Sequence, residues 1–211
     1  GIGDLQASVY GTGFPKRTGL VVNLGTGSQV VGRLGMGGNN RLEKRVSVCG
    51  EQFNAVTHIP SGRALNVFSA FVDECSHIGK GKPVFWELFK NLSPEKILSE
   101  DLEVNLNLFP SAMNHIDGGS IQFIRETGFS VECFVAGLAK SWLSQYAEAM
   151  KLLDPRKQEN EFLVVGGLSQ RAGFILPVIS ELAKRKGQMG RTRTGEITLD
   201  GLLALSKVSS E

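Results

Sequence analysis

The chain has 211 residues, 41% of them hydrophobic, so it can bury a sizeable core, and one domain over residues 1–211 is the simplest expectation. Its 23 basic and 21 acidic residues leave a net charge of +2, which argues against nucleic acid or an anionic membrane surface as the partner. No apolar run approaches the roughly 18 residues of a membrane span, and three cysteines without a Cys-x-x-Cys pair argue against disulfides and thiolate metal sites, so we expect a reducing, cytoplasmic location.

Residues 3–11, Gly-Asp-Leu-Gln-Ala-Ser-Val-Tyr-Gly, predict a short helix with Asp4 as its N-cap and Gly11 at its end. An aspartate at a helix start is more often a cap than a catalyst, so this pattern alone assigns no reaction to Asp4. Because the chain opens on this segment without an initiator Met, we expect it to be a piece of a longer polypeptide.

Residues 20–31, Leu-Val-Val-Asn-Leu-Gly-Thr-Gly-Ser-Gln-Val-Val, predict a β-hairpin whose tip carries no bulky side chain at Gly25 or Gly27. Exposed N–H groups in such a turn, with the Thr26 and Ser28 hydroxyls beside them, suit phosphate oxygens. A plain tight turn is the alternative, since short glycine motifs are weak evidence.

The middle of the chain alternates short strands with helices. Apolar spacing predicts strands over 46–49, 102–108 and 120–124, helices over 63–74 and 94–100, an amphipathic turn over 85–89, and a turn over 57–62. Ser130 should cap a helix of more than twenty residues that runs to about Leu153 and forms the centre of the core. His58 and His77 have no spaced partner for a metal site, and Gly79-Lys80 lacks the preceding strand of a P-loop.

Residues 161–169, Glu-Phe-Leu-Val-Val-Gly-Gly-Leu-Ser, predict a buried strand that runs into a diglycine, followed by a helix over 170–186. A strand, a bare loop and a helix N-terminus together suit an anion or a nucleotide, because the loop admits a ligand and the helix offers N–H donors. A close-packed turn is the alternative. A last helix is predicted over 198–205.

In order and spacing, residues 3–8, 23–29 and 164–169 resemble the C-terminal domain of the FGGY carbohydrate kinases, and the Gly-Asp-Leu-Gln-x-Ser-Val-Tyr opening is most similar to the sedoheptulokinases. The resemblance implies the actin-like ATPase, ribonuclease H-like fold, an α/β architecture with a mixed five-stranded sheet and helices on both faces. It also implies an ATP-dependent kinase that phosphorylates a ketose, with sedoheptulose as the expected substrate and Mg²⁺ bridging the phosphates of ATP.

The resemblance assigns roles to individual residues. Asp4 matches the family's catalytic base, and Gln6 is a candidate ligand of the sugar hydroxyls. The second phosphate motif matches Gly25, Thr26 and Gly27. The adenosine motif matches Gly166, Gly167, Leu168 and Ser169. No metal ligand is assigned to the protein, because the nucleotide and water would carry the Mg²⁺.

The sequence also departs from the family. Leu5 replaces a common sugar-contacting Gln, residues 199–204 differ from the usual small-residue pattern, and residues 110–119 lack the common Arg signature. The Asp-x-Gly-Thr-Thr first phosphate motif is absent from these residues. The resemblance places this motif in an N-terminal kinase domain that we expect to be missing here, so the chain alone is expected to be inactive. Xylulose, ribulose or glycerol as substrate, and a non-catalytic actin-like nucleotide-binding module, stay open. A homodimer is kept as a candidate assembly.

Overall fold

The computed structural model describes residues 4–14, 19–25, 28–33, 42–47, 50–79, 81–109, 118–190 and 197–208. Within these residues the chain forms eight strands and seven α-helices. The strands are β1 (Leu20–Asn23), β2 (Ser28–Arg33), β3 (Glu43–Val46), β4 (Gln52–Ile59), β5 (Glu103–Asn105), β6 (Ser120–Gln122), β7 (Glu161–Val165) and β8 (Lys186–Met189). The helices are α1 (Asp4–Gly11), α2 (Gly62–Ile78), α3 (Phe85–Asn91), α4 (Pro94–Ser99), α5 (Val131–Leu153), α6 (Ile175–Ala183) and α7 (Ile197–Val208).

The main sheet is mixed and has the order β3-β4-β2-β1-β7-β8. The strands β3, β4, β2 and β1 pair antiparallel, whereas β1 pairs parallel with β7 and β7 with β8. The predicted fold class is confirmed, but the sheet has six described strands where five were expected. The predicted hairpin is confirmed as β1 and β2, with Val22 opposite Val30.

Alternate residues of the hairpin face two different layers. On one face, Val21 and Val31 belong to a small apolar cluster. This cluster also contains Val9 of α1 and Phe14, which follows α1. On the other face, Val22 and Val30 belong to the large core formed with the helices. Side chains of a strand point alternately to opposite faces, so this pattern means that helices cover the sheet on both sides.

The central helix α5 contributes more buried residues to the large core than any other described helix or strand, which confirms the prediction of a central core helix. Its N-cap is Ser130, whose Oγ accepts a hydrogen bond from the backbone N–H of Cys133 at 3.2 Å. Trp142 and Tyr146 are the largest fully buried side chains. The indole N–H of Trp142 donates to the Tyr146 hydroxyl at 3.1 Å.

Several element boundaries differ from the predictions. The expected turn at 57–62 is wrong, because residues 57–59 belong to β4, a strand that was not predicted. The strand expected over 46–49 lies earlier, at Glu43–Val46, and residues 48–49 fall outside the described part of the chain. The amphipathic turn at 85–89 is a helix, α3, and the strands over 102–108 and 120–124 shorten to three residues each.

The segment after β7 also differs. The helix expected over 170–186 is replaced by a 3₁₀ turn at Gly167–Gln170, the helix α6, and the edge strand β8. The predicted last helix is confirmed as α7, which crosses α1. Among the described residues, no helix combines the length and apolar character needed to cross a membrane.

Candidate functional site

The two predicted glycine turns lie at the same edge of the sheet. Strands β1 and β7 run parallel in a register that pairs Asn23 with Val165, so both strands end at the same level. The turn at Gly25 follows β1, and the diglycine Gly166-Gly167 follows β7. In open α/β sheets this edge, at the carboxyl ends of the parallel strands, is where ligands bind.

The two turns are also bonded to each other through the peptide groups of Leu24. The Leu24 N–H donates to the carbonyl oxygen of Val165 at 2.8 Å, and the Leu24 carbonyl accepts from the Leu168 N–H at 3.1 Å. Leu24 itself is fully buried. The relative position of the two turns is therefore fixed by the sheet and is not left to flexible loops.

Gly166 occupies a position that requires glycine. Its φ angle is +99°, in the region that side-chain-bearing residues rarely adopt, and an added Cβ would lie 2.4 Å from the Leu24 carbonyl oxygen. Gly167 differs, since no described heavy atom lies within 4 Å of its Cβ position. Gly166 permits close contact between the turns, and Gly167 leaves open space beside them.

The β1–β2 turn is closed by Ser28. The Ser28 Oγ accepts a hydrogen bond from the Gly25 N–H and donates one to the Gly25 carbonyl, each at 3.1 Å. Ser28 is fully buried, so this hydroxyl is a structural part of the turn. Thr26 and Gly27, at the tip, lie outside the described residues.

The second turn does not present the helix N-terminus that was predicted. The N–H groups of Leu168 and Ser169 already donate to the carbonyls of Leu24 and Gly166, and the Ser169 hydroxyl also donates to Gly166 at 2.6 Å. The regular helix α6 begins only at Ile175. The diglycine can therefore form a bare wall of a site, but the helix-dipole argument for this turn was wrong.

A different helix, α2, begins at this edge, and sequence reasoning predicted the helix but not its position. Ser28, the first residue of β2, pairs with Ile59, the last residue of β4. The chain then passes through Pro60 and Ser61 into α2, a helix of 17 residues. Helix N-termini carry a partial positive charge. The sequence signal was present as the Pro-Ser-Gly turn before the helix, but without β4 it could not be placed beside the hairpin.

The helix α1 carries the remaining predicted site residues. Asp4 is its first residue, and the Asp4 side chain lies outside the described part of the chain. The Gln6 Nε2 donates to the carbonyl of Val46 at 3.0 Å. Val46 pairs with Gln52 at the start of β4, whereas Ile59, at the end of β4, pairs with Ser28 beside the β1–β2 turn. That strand spans roughly 23 Å, so Gln6 is not brought to the turns.

The crossing of α7 over α1 explains part of the divergent pattern near the chain end. A Cβ at Gly201 would lie 1.9 Å from the Ala7 carbonyl oxygen, so the two helices meet at this glycine. The Ser8 and Thr198 hydroxyls hydrogen-bond at 2.7 Å across the same contact. Gly201 therefore serves helix packing.

No group of three or more His, Cys, Asp or Glu side chains within the described residues could hold a metal ion. Burial raises the pKa of Tyr146, below the β1–β2 turn, to about 12, although the nearby Ser28 and Ser61 hydroxyls and the hydrogen bond from Trp142 oppose the rise. The Tyr146 hydroxyl is therefore neutral and acts only through hydrogen bonds near neutral pH.

No protein-family model matches the sequence, and no curated protein matches it significantly. Solved structures do match the fold. The xylulose kinase from Rhodospirillum rubrum has a TM-score of 0.73 at 14% identity, over 99% of this chain and 42% of that one. The glycerol kinase from Plasmodium falciparum, solved with ADP, has a TM-score of 0.67 at 12% identity, over 100% of this chain and 42% of that one.

A protein that is not named as a kinase shares the fold. Component A of (R)-2-hydroxyglutaryl-CoA dehydratase from Acidaminococcus fermentans matches with a TM-score of 0.56 at 13% identity, over 100% of this chain and 70% of that one. This chain spans about two-fifths of the length of the two kinases. The TM-scores establish that the fold is shared. The sequence identities are too low to assign a reaction to this chain. The chain therefore has the actin-like ATPase fold, a fold that it shares with carbohydrate kinases.

Proposed function

We propose that this chain is the nucleotide-binding part of an ATP-dependent carbohydrate kinase that transfers the γ-phosphate of ATP to a ketose hydroxyl, with sedoheptulose as the first substrate to test. One observation carries the proposal: the parallel register of β1 and β7 and the two hydrogen bonds of Leu24 hold both glycine turns at one ligand-binding edge. The kinases named above share this fold, so the choice of a kinase rests on analogy at the level of the fold.

In this proposal the two turns bind opposite ends of the nucleotide. The backbone of Gly25, Thr26 and Gly27 would hold the β- and γ-phosphates, and the N-terminus of α2 beside Ser28 would add a favourable field for their charge. Gly166 and Gly167 would form the wall for the adenosine, with Leu168 and Ser169 fixing the turn behind it. Mg²⁺, carried by the nucleotide, would neutralise charge on the phosphates.

The chemical step assigned to this chain is a proton transfer. The Asp4 carboxylate would accept the proton of the attacking sugar hydroxyl. The hydroxyl oxygen would at the same time form a bond to the γ-phosphorus, and ADP would leave. Transfer also needs the first phosphate motif, which we place in an N-terminal domain. Gln6 remains a candidate sugar ligand, although its amide nitrogen is already bonded to Val46.

The kinase proposal is tested by turnover in the full-length protein. ADP release would be measured with sedoheptulose, xylulose, ribulose and glycerol, and the preferred substrate should exceed the others in kcat/KM. Asp4→Asn should abolish turnover and leave ATP affinity nearly unchanged. Asp101→Asn is the matched control, because Asp101 is exposed and pairs only with the surface residue Arg125 among the contacts described.

A non-catalytic nucleotide-binding module is the second candidate. One observation favours it: the Gln6 side chain is bonded to Val46 and is therefore directed away from the glycine turns. The fold itself does not require a kinase, since a protein that is not named as a kinase also has it. In that case ATP would bind, no sugar or polyol would be phosphorylated, and Asp4→Asn would change nothing. Failure of the full-length protein to bind ATP or ADP at all would reject both candidates.

A further inference from the structure

The segment over residues 118–132 is exposed along its whole length, although it contains the strand β6 and the start of the central helix α5. Five of its residues are large and apolar, with exposures between 40% and 59%: Ile121, Phe123, Ile124, Phe129 and Val131. A single exposed apolar residue is ordinary, whereas several in one short segment indicate a surface that contacts another molecule.

The strand β6 is also an open edge of the small two-stranded sheet. Its partner β5 lies against α5, where the Val104 N–H donates to the Ser141 Oγ at 2.9 Å, and no described strand pairs with the other side of β6. A sheet of two strands is only marginally stable by itself. An open edge of this kind is a template for pairing with a strand of another chain.

The edges of the main sheet are protected against such pairing, and β6 is not. The edge strand β3 carries Lys44 and Arg45, and the edge strand β8 carries Lys186. Charged residues on an edge, lysine above all, oppose pairing with a second chain. The sequence of β6 is Ser-Ile-Gln and has no charge. Of these three described edges, β6 is therefore the one suited to pairing.

The hydrogen bond of Val104 shows how the peptide groups of β6 are directed. Val104 lies opposite Ile121 in the antiparallel pair of β5 and β6. The Val104 N–H is directed at Ser141 and therefore away from β6, so Val104 and Ile121 form the non-hydrogen-bonded type of pair. In that type, the N–H and carbonyl groups of both residues point outward. Ile121 thus presents a donor and an acceptor at the open edge.

The apolar area of the segment suits an interface of standard size. With about 200 Å² for a whole aromatic residue and somewhat less for Ile and Val, the five exposed fractions amount to roughly 400–500 Å². A standard interface covers about 800 Å² on each partner, of which about 57% is apolar, which gives about 450 Å². The segment can therefore supply the apolar part of one stable interface.

From these observations we infer that residues 118–132 form a homodimer interface, in which β6 pairs antiparallel with β6 of a second copy about a twofold axis at Ile121. The pairing is self-complementary: Ile121 lies opposite Ile121, and Ser120 lies opposite Gln122. It brings no like charges face to face and joins two small sheets into one of four strands. The inference does not depend on the reaction that the protein catalyses.

The first test measures the oligomeric state of the full-length protein. Sedimentation equilibrium over about a hundredfold range of protein concentration should give a monomer–dimer Kd. Ile121→Lys should raise this Kd by about a hundredfold or more, because two lysines would face each other at the axis. Leu203→Lys is the matched control: Leu203 is 53% exposed on α7, which packs on α1, and its Kd should stay within about twofold of the parent value.

The second test concerns the pairing at Ile121 itself. Ile121→Lys and Ile121→Glu should each be monomeric alone and should form a mixed dimer when combined, because opposite charges then face each other. Ile121→Cys should give a disulfide-linked dimer on mild oxidation, since the Cα atoms of a hydrogen-bonded antiparallel pair lie about 5.5 Å apart, within the range of a disulfide. Leu203→Cys should give none.

Three outcomes would overturn the inference. The full-length protein may stay monomeric over the whole concentration range, or its dimer may be weakened equally by Ile121→Lys and Leu203→Lys. A monomer whose Ile121 amide is protected from hydrogen exchange would show that another part of the polypeptide covers the segment. Circular dichroism would check that each variant folds, and if Ile121→Lys does not, the cross-linking of Ile121→Cys decides the question.

Discussion

Substitution of Gly166 by alanine tests the packing of the two glycine turns most directly. The backbone at Gly166 has a φ of +99°, and the new Cβ would lie 2.4 Å from the Leu24 carbonyl oxygen and 2.7 Å from the Asn23 Oδ1. A residue with a side chain held in that backbone region costs about 1–3 kcal/mol, and forcing a methyl group into a packed site costs about 1–3 kcal/mol more. The free energy of unfolding should therefore fall by roughly 2–6 kcal/mol.

Gly167→Ala is the matched control, since the same methyl group enters open space one residue later. For a chain of this size each kcal/mol shifts Tm by about 2–4 °C, so thermal unfolding followed by circular dichroism should show a drop of roughly 5–20 °C for Gly166→Ala. The control should change Tm by less than about 2 °C, as expected for a substitution at an exposed position. Equal Tm values for the two variants would refute the claim that Gly166 is required for contact between the turns.

Three further predictions concern the stability of the fold. The carboxylate of Asp154 is buried and bonded to the Arg185 guanidinium at 2.7 Å and to the N–H groups of Gln158 and Glu159 at 2.9 Å, and these contacts outweigh burial and lower the pKa of Asp154. Arg185→Leu leaves that charge unpaired and should cost about 3–5 kcal/mol in chemical denaturation at pH 7. Because the pKa of Asp154 is lower in the folded state, its contribution is present above the unfolded value near 4 and is lost as the pH falls further. Asp154→Asn should therefore flatten the dependence of stability on pH below about 4, and an unchanged dependence would count against this assignment. Gly201→Ala should displace α7 from α1, because its Cβ would lie 1.9 Å from the Ala7 carbonyl, and should speed amide exchange in α7. Gly173→Ala, which meets open space among the described residues, should not affect that exchange.

The elements that sequence predicts well here are those with local signals. The hairpin shows two short runs of strand-favouring apolar residues around a glycine tip, and both its strands are confirmed. The helix α5 combines a Ser130 cap with a long apolar face, and its bounds are confirmed at both ends. In each case the information lies within a few residues of the element itself.

The strand β4 was missed because its centre breaks the apolar alternation of a strand. Asn54 and Thr57 are buried polar residues in this strand, and the Thr57 hydroxyl donates to the Glu43 carboxylate on β3 at 2.6 Å. Polar residues in a sequence usually indicate a loop, and a buried polar residue in a strand can be recognised only once its hydrogen-bond partner is known. The edge strand β8 was missed for a similar reason, since its residues are mostly exposed and only Met189 among them is a large apolar residue.

The residues of the candidate site could be predicted from the sequence, but their arrangement in space could be predicted only in part. The sequence identified both glycine turns, and the parallel pairing of β1 with β7 confirms that they share an edge. The 3₁₀ turn after Gly166 could not be predicted, because the Leu168 N–H is bonded to Leu24, far away in the chain. The direction of Gln6 depends in the same way on where Val46 lies. The roles of Asp4, Gln6 and the seven nucleotide residues stay predictions.

The pairing of β1 with β7 has a consequence for how this protein folds. The partners Val21 and Leu163 are about 140 positions apart in the chain. Closing so long a loop costs conformational entropy before the contact repays it, and non-local strand pairing of this kind slows folding. We therefore expect the edge of the sheet that carries the two glycine turns to assemble late, after the local hairpin and the central helix. Under the proposed function, nucleotide binding would then begin only after the last and slowest step of folding is complete.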